Sequence, residues 1–200
     1  MHKNPFLLIG ITDGSPQSQD GQTLTALLAN GLDFIYWRTS ASPQDALRLP
    51  PSVQEALLVS APTIDDVHPP FRWHLKESDR SRLSGQIQCF STSIHQLRDW
   101  PTLSGQAQLV FYSPVFASIS KPGYGPTASL DTLRQQIEAI RQQSVQLPHL
   151  IGLGGIQADN IQSIKLAGFD GAALMGALWQ SPDPVDALIQ IRANLSVEAP

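Results

Sequence analysis

The chain has 200 residues, of which 42% are hydrophobic and 15% are charged. This length suits one domain with a sizeable core, and we expect residues 1–200 to form it. The formal net charge of -4, from 13 basic and 17 acidic residues, excludes the basic surface typical of nucleic-acid-binding proteins. No apolar run approaches the roughly 20 residues that span a bilayer, and no signal peptide is evident. We therefore expect a cytoplasmic protein that does not enter a membrane.

Cysteine and histidine usage argues against a metal centre. Cys89 is the single cysteine, which excludes an internal disulfide and a cysteine-based metal cluster. Its segment is typical of a strand, so we expect a buried structural thiol. The histidines at positions 2, 68, 95 and 149 lack the spacing of metal ligands. The residues themselves therefore predict no metal site.

Short apolar runs alternate with segments of helical periodicity. We predict eight strands, at residues 6–11, 33–38, 56–59, 72–75, 86–90, 109–112, 149–153 and 171–175. Apolar runs without strict alternation are typical of strands buried on both faces, as in a parallel sheet covered by helices. Eight strand–helix units of about 25 residues fit a compact TIM (β/α)₈ barrel.

Helical patterns are strong in some connections and weak in others. Four segments repeat apolar residues at spacings of three and four: Leu24, Leu27 and Leu28; Leu130, Leu133, Ile137 and Ile140; Ile161 and Ile164; and Val185, Leu188 and Leu195 after an Asp183-Pro184 start. Segments 45–53 and 62–70 have little such pattern, so the third and fourth units are predicted to be thin. An open doubly wound sheet is the alternative, but segment 12–16 (TDGSP) lacks its glycine-rich turn.

Two glycine turns follow the seventh and eighth predicted strands. They contain Gly154 with Gly155, and Met175 with Gly176. Phosphate commonly binds at these two positions of a TIM barrel. Glycines let the backbone approach an anion closely, and N–H groups at a helix start point towards it. We expect these four residues, called the phosphate cup below, to bind phosphate; tight turns without a ligand are the alternative.

Three motifs carry a resemblance to a known family. They are YSPVFASISKPGYGP at 112–126, LGGI at 153–156 and AGFDGAALMG at 167–176. Together they resemble the thiamine phosphate synthase and TenI superfamily, and the Ser-Lys-Pro-Gly ending of the first motif is typical of its TenI-like branch. The resemblance extends over essentially the whole chain and is most specific from the sixth strand onward. It implies a TIM barrel that binds a thiazole phosphate.

The resemblance also implies roles for particular residues. The synthase joins the thiazole phosphate to a hydroxymethylpyrimidine diphosphate with Mg²⁺, whereas TenI aromatises a thiazole carboxylate phosphate by moving a proton. By resemblance, the phosphate is held by the cup glycines, and the substrate-facing sixth loop includes Ser113, Ser118, Ser120 and Lys121. Lys121 is predicted, together with His74 and Arg38, as a catalytic residue, and an exposed loop lysine is the alternative. The family resemblance further implies a homodimer.

The sequence departs from the synthase pattern at the strand ends. Of Gln-Leu-Arg-Glu-Lys after the second strand only Arg38 remains, and segment 60–62 (SAP) replaces Asn-Asp-Arg after the third. The fourth keeps His74 and Asp79 of its motif, while segment 91–93 (STS) lacks the histidine of Ser-x-His. A diphosphate needs a metal or cations to neutralise it, and Asp79 alone is a poor Mg²⁺ site. The pattern argues against synthase activity, and Mg²⁺ is expected only if that activity is present.

The TenI pattern has a gap of its own, because Pro114 stands where the tautomerase has its proton-transferring histidine. We predict His74 as the base, since imidazole suits proton transfer at neutral pH. The alternative is a histidine hydrogen-bonded within the barrel wall. Asp13 and Glu77 are secondary candidates. Arg38 is predicted to bind a carboxylate or phosphate, with a salt bridge to Asp13 as the alternative.

Three functions follow from these observations. The first is a TenI-like protein that binds a thiazole phosphate, with thiazole tautomerisation as its reaction. The second is a thiamine phosphate synthase with a reworked diphosphate site. The third is a non-catalytic or regulatory protein that kept the phosphate cup.

Overall fold

Eight parallel strands close into a barrel in sequence order, which confirms the predicted TIM barrel. The computed structural model describes residues 5–38, 43–80, 82–83, 87–117, 125–126, 128–143 and 146–196, with the backbone alone at 43 and 44. The strands are β1 (Leu7–Ile11), β2 (Phe34–Trp37), β3 (Leu57–Ser60), β4 (Arg72–Leu75), β5 (Cys89–Ile94), β6 (Ala107–Tyr112), β7 (His149–Leu153) and β8 (Gly171–Leu174).

Helices cover the barrel unevenly. They are α1 (Gly21–Ala29), α2 (Pro43–Ala46), α3 (Pro51–Ala56), α4 (Glu77–Arg80), α5 (Leu130–Gln143), α6 (Ile161–Leu166), α7 (Gly176–Trp179) and α8 (Pro184–Ser196), with 3₁₀ turns at Gln17–Gln19, Ile64–Asp66, Leu97–Asp99 and Pro101–Leu103. In the described part of the chain between β2 and β6, the longest helix has 6 residues, so the thin third and fourth units are confirmed. None of the described helices combines the length and apolar character that crossing a membrane requires.

The predicted end of the fifth strand is wrong. The prediction placed the strand at 86–90, whereas β5 runs from Cys89 to Ile94. Its polar residues hid the strand pattern, because Ser91 and Ser93 face the buried imidazole of His74 inside the barrel. With these bounds, His95 directly follows β5.

The barrel interior is filled by side chains that alternate along the strands. The inner cluster contains Ile9, Ile11, Tyr36, Leu58, Leu109, Phe111, Ile151 and Ala173. Neighbouring residues such as Leu8, Ile35, Val110 and Leu150 face outward and join the helices in the main core. The inward side chains close the barrel, so a ligand can approach only at its ends.

A smaller cluster covers the outside of β3 to β5. It consists of Ala61, Trp73 and Leu75, with Val67, Leu83, Ile87 and Cys89 packed against it. Cys89 is half-buried, not fully buried as predicted, and burial raises the pKa of its thiol to about 11, which keeps it protonated. The weak helical pattern of this region therefore corresponds to a thinner apolar layer.

Candidate functional site

Along each strand, side chains face alternately into and out of the barrel, and this alternation continues past the last residue of several strands. On β2 it leads from Phe34 and Tyr36 to Arg38, and on β5 from Ser93 to His95. On β6 it leads to Ser113, and on β8 to Met175. Arg38, His95, Ser113 and Met175 thus surround the carboxyl-terminal opening of the barrel, called the mouth below. Active sites of TIM barrels lie at this end.

The turn after β7 forms the first half of the phosphate cup. Gly154 and Gly155 have positive φ angles of 107° and 65°, which side chains rarely adopt. The sixth loop lies directly on this turn, because Phe116 N donates to the Gly154 carbonyl at 3.1 Å. A Cβ atom on Gly155 would lie 2.6 Å from the Ala117 carbonyl oxygen. The glycine pair therefore also seats the sixth loop, a role that the sequence reasoning missed.

Asn160 braces the same turn. Its Nδ2 donates to the Gly155 carbonyl at 2.9 Å, and its Oδ1 accepts from Gln157 N at 2.9 Å. Asn160 immediately precedes α6, a position where asparagine is common. An asparagine directly before a predicted helix was thus the sequence signal by which Asn160 could have been recognised.

The turn after β8 forms the second half of the cup. Helix α7 begins at Gly176, and the first turn of a helix leaves N–H groups without intrahelical partners. The indole of Trp179 donates to the Ile11 carbonyl at 2.6 Å and so anchors α7 to the last residue of β1. A Cβ on Gly176 would meet nothing closer than the Gln180 side chain at 3.5 Å. Packing therefore does not require glycine here, in contrast to Gly155.

Arg38 lies beside this half of the cup. Its backbone N–H donates to Thr12 Oγ1 at 2.8 Å, and its Nη1 lies 3.9 Å from Met175 Sδ. Among the described residues, no carboxylate forms an ion pair with it. Asp13, the alternative partner, instead accepts from Ser15 N at 2.9 Å within a turn. Burial acts to raise the pKa of Asp13, but hydrogen bonds, chiefly from Ser15, outweigh it and hold that pKa below its usual range.

His74 lies deep inside the barrel. The side chain is 1% exposed, and its ring centroid is 4.4 Å from that of Tyr36. Nδ1 lies 2.9 Å from Ser91 Oγ, and Nε2 lies 3.3 Å from Ser93 Oγ. Burial, with a smaller contribution from Lys76, lowers the pKa of His74 to about 3. This geometry agrees with the alternative of a wall histidine; the catalytic role stays a prediction.

A polar cluster lies at the ends of β4, β5 and β6. It joins Glu77 and Ser113, which the sequence analysis singled out, with His95, which it did not. His95 Nδ1 is 2.8 Å from the Ser113 carbonyl oxygen, and its Nε2 is 3.6 Å from Glu77 Oε2. Glu77 Oε1 also lies 3.7 Å from Arg80 Nη2. The signal was present, because segment 93–95 (SIH) fits the Ser-x-His pattern that segment 91–93 does not.

The remaining predicted residues separate into two groups. Ser113 lies at the mouth, while Ser118, Ser120 and Lys121 fall outside the described residues. The Mg²⁺ expectation rests on Asp79, the acidic residue that remains of the synthase pattern. Asp79 is paired with Arg82 at 3.8 Å, and the described residues contain no group of three potential metal-binding side chains of the His, Cys, Asp and Glu types.

Comparisons with known proteins point to one family. A family model described as thiamine monophosphate synthase matches residues 74–178, more than half of the chain. A thiamine-phosphate synthase of Chloroflexus aurantiacus is 38% identical over 84 residues, covering 42% of this chain and 36% of that protein. The aligned part thus spans about a third of such relatives.

Solved structures share the fold. Thiamine phosphate pyrophosphorylase from Bacteroides thetaiotaomicron superposes with a TM-score of 0.68 at 21% identity, covering 96% of this chain and 100% of that one. The enzyme of the same name from Pyrococcus furiosus gives 0.68 at 18% identity, with 96% of each chain covered. At these identities the likeness establishes the barrel architecture alone.

Proposed function

This chain belongs to the thiamine monophosphate synthase family, and we propose that its mouth binds a thiazole phosphate and moves a proton on that ligand. The ligand is a small phosphorylated molecule. Its phosphate lies in the phosphate cup, and its ring extends towards the centre of the mouth. The reaction is a thiazole tautomerisation, the isomerase chemistry of the TenI-like branch.

The position of Arg38 carries this proposal. Its guanidinium lies beside Met175 at the cup, and its planar donors suit a phosphate or carboxylate. No described carboxylate neutralises it, so its charge remains available to an anion. Backbone groups of the two glycine turns supply further donors at the same place.

The synthase reaction is the second candidate, supported by the names of the matched relatives. It requires a diphosphate to be neutralised, and Asp79, the remaining candidate Mg²⁺ ligand, is paired with Arg82 at 3.8 Å. We therefore propose that ligand binding at the mouth needs no metal cofactor.

Isothermal titration calorimetry tests the binding step. Thiazole phosphate is titrated into the wild-type protein and into Arg38→Gln, with and without Mg²⁺. Because a hydrogen bond to a charged group contributes about 1.5–3 kcal/mol, we expect Arg38→Gln to weaken binding roughly 10- to 100-fold. Arg134→Gln, an exposed arginine on α5, removes the same charge away from the mouth and should bind normally.

Three results would change the proposal. Absence of thiazole phosphate binding by the wild-type protein contradicts it. Mg²⁺-dependent binding of hydroxymethylpyrimidine diphosphate, followed by pyrophosphate release, establishes the synthase reaction instead. Binding without tautomerisation supports the non-catalytic alternative.

Two further properties are proposed, the first of them from the family resemblance. One is a homodimer, which analytical ultracentrifugation would detect as a species of twice the 21.8 kDa chain mass. The other is a cytoplasmic location, which fractionation of the source cells would test.

A further inference from the structure

We propose that His95 is the base that moves the proton at the mouth and that Glu77 is its positioning residue. The proposal rests on the proposed function, because it assigns the group that performs that reaction. His95 follows β5 on the inward side of the strand, and its side chain is 54% exposed. It can therefore touch a ligand in the mouth, whereas His74 is enclosed beneath it.

The hydrogen bond of His95 determines which nitrogen is basic. Nδ1 lies 2.8 Å from the Ser113 carbonyl oxygen, and a carbonyl can only accept. The neutral ring therefore carries its proton on Nδ1 and a lone pair on Nε2. Among the described residues, the polar group recorded near Nε2 is the Glu77 carboxylate, at 3.6 Å. An ionised carboxylate cannot donate a hydrogen bond, so Nε2 can accept a proton from a ligand.

Glu77 is held where it can assist this transfer. One of its oxygens faces His95 and the other lies 3.7 Å from Arg80 Nη2. Arg80 is fixed in turn, because its Nη1 donates to Thr92 Oγ1 at 2.8 Å and to the Ser93 carbonyl at 3.1 Å. The carboxylate thus attracts the imidazolium that forms when Nε2 takes the proton, and it restrains the ring.

The contrast with His74 supports the choice of His95. Both nitrogens of His74 contact serine hydroxyls, so its lone pair is already occupied. Its surroundings, Tyr36 and Phe111, also disfavour a charged ring. His95 has one nitrogen fixed, one nitrogen open and a carboxylate beside the open one, which is the arrangement that a general base requires.

The step conserves atoms and electrons. Nε2 of neutral His95 removes a proton from one carbon of the non-aromatic thiazole carboxylate phosphate, and the C–H electron pair enters the ring system. The imidazolium then returns the proton to a second carbon, where a double bond supplies the electron pair. The product is the aromatic isomer, His95 is neutral again, and no oxidant, reductant or metal takes part.

Steady-state tautomerisation of that substrate tests the proposal in wild type, His95→Ala, Glu77→Gln and His68→Ala. We expect His95→Ala to lose roughly 10²–10⁴-fold in kcat, with thiazole phosphate affinity retained in calorimetry. Added imidazole should restore part of the lost rate. Glu77→Gln should lower kcat roughly tenfold with KM unchanged. His68, exposed before β4 at the opposite end of the barrel, is the matched control and should behave as wild type.

The outcomes are distinguishable from those for the proposed function. If the wild-type protein turns over the substrate and His95→Ala does so equally fast, the assignment of His95 is wrong while the function stands. If the wild type binds thiazole phosphate without turnover, the catalytic assignment fails but the binding site stands. If the wild type does neither, both proposals fail. A Glu77→Gln variant that changes KM and not kcat contradicts the positioning role.

Discussion

The two halves of the barrel build the mouth in different ways. From β6 to β8 the outer layer contains α5 with 14 residues and α8 with 13, and the site is made of backbone turns at Gly154–Gly155 and Gly176. From β2 to β5 the connections are short helices and 3₁₀ turns, and the site is made of side chains, Arg38 and the Glu77–His95 pair. Under the proposed function, the late half would supply the phosphate cup, and the early half would supply the positive charge and the base.

The same division affects stability. Trp100 is fully buried in the main core and donates to the Pro148 carbonyl at 2.9 Å. Trp73 belongs to the small cluster over β3 to β5 and donates to the Ala61 carbonyl, also at 2.9 Å. The two indoles make equivalent hydrogen bonds, so their difference reports the packing around them.

The largest predicted effect is that of Trp100→Ala. Removing a fully buried indole should lower the free energy of unfolding by about 3–5 kcal/mol, measured by urea denaturation. Trp73→Ala should cost at least about 1 kcal/mol less, because thin surroundings can collapse into the cavity. Equal losses would show that the early half is packed as firmly as the late half, which would contradict the difference in packing between them.

A second prediction concerns the polar interior of the early half. Because the pKa of His74 falls from 6.5 to about 3 on folding, the unfolded chain binds a proton that the native protein does not. Stability from this group is complete above pH 6.5 and is lost as the pH falls towards 3. Between pH 7 and pH 4.5 the loss is about 3 kcal/mol.

His74→Gln provides the matched comparison. Glutamine can still hydrogen-bond to Ser91 or Ser93 but does not titrate. Between pH 7 and pH 4.5 the variant should therefore lose about 3 kcal/mol less stability than the wild type. Urea titrations of both proteins at each pH measure it, and carboxylates common to both cancel. Identical pH dependence of the two proteins would show that His74 is accessible to protons in the native barrel.

Sequence patterns predicted the late half better than the early half for physical reasons. Leu133 and Ile137 of α5 repeat at helical spacing, and glycines mark the turns of the cup. In the early half, 3₁₀ turns carry no such periodicity, and β5 is polar because Ser91 and Ser93 serve His74. The Glu77–His95 pair was missed, because the Ser-x-His match at 93–95 lies beyond the predicted end of the fifth strand and the pairing depends on neighbouring strands ending together.

A third prediction separates ligand-related glycines from ordinary turn glycines. Gly155 and Gly105 have similar φ angles, 65° and 71°, but a Cβ on Gly105 would meet nothing within 4 Å. Alanine at either position should cost about 1–2 kcal/mol of backbone strain. Gly155→Ala should cost a further 1–3 kcal/mol, roughly, by collision with Phe116 and Ala117, and should weaken thiazole phosphate binding. Equal effects on stability and binding would remove the role of Gly155 in seating the sixth loop.

The smallest predicted effect concerns contacts of Arg141 that join α5 to the segment before β8 in the late half. Arg141 Nη2 donates to Asp170 Oδ2 at 2.7 Å and to the Gly168 carbonyl at 3.0 Å, and Asp170 also accepts from Leu150 N at 2.8 Å. The Arg141 side chain is 38% exposed, so solvent weakens the pair, and Arg141→Gln should lower the free energy of unfolding by about 1 kcal/mol.

Arg48→Gln is the matched control for that change. Arg48 lies in the early half, is 84% exposed, and approaches Asp45 only to 3.7 Å. Its loss should cost less than about 0.5 kcal/mol in the same urea titration. Raising the salt concentration should reduce the effect of Arg141→Gln only in part, since hydrogen bonds to Gly168 and between Leu150 and Asp170 accompany the charges. If the effect of Arg141→Gln on the free energy of unfolding disappeared at high salt, the contact would be an ordinary surface ion pair. Helix packing would then be the main stabilising contribution in the late half.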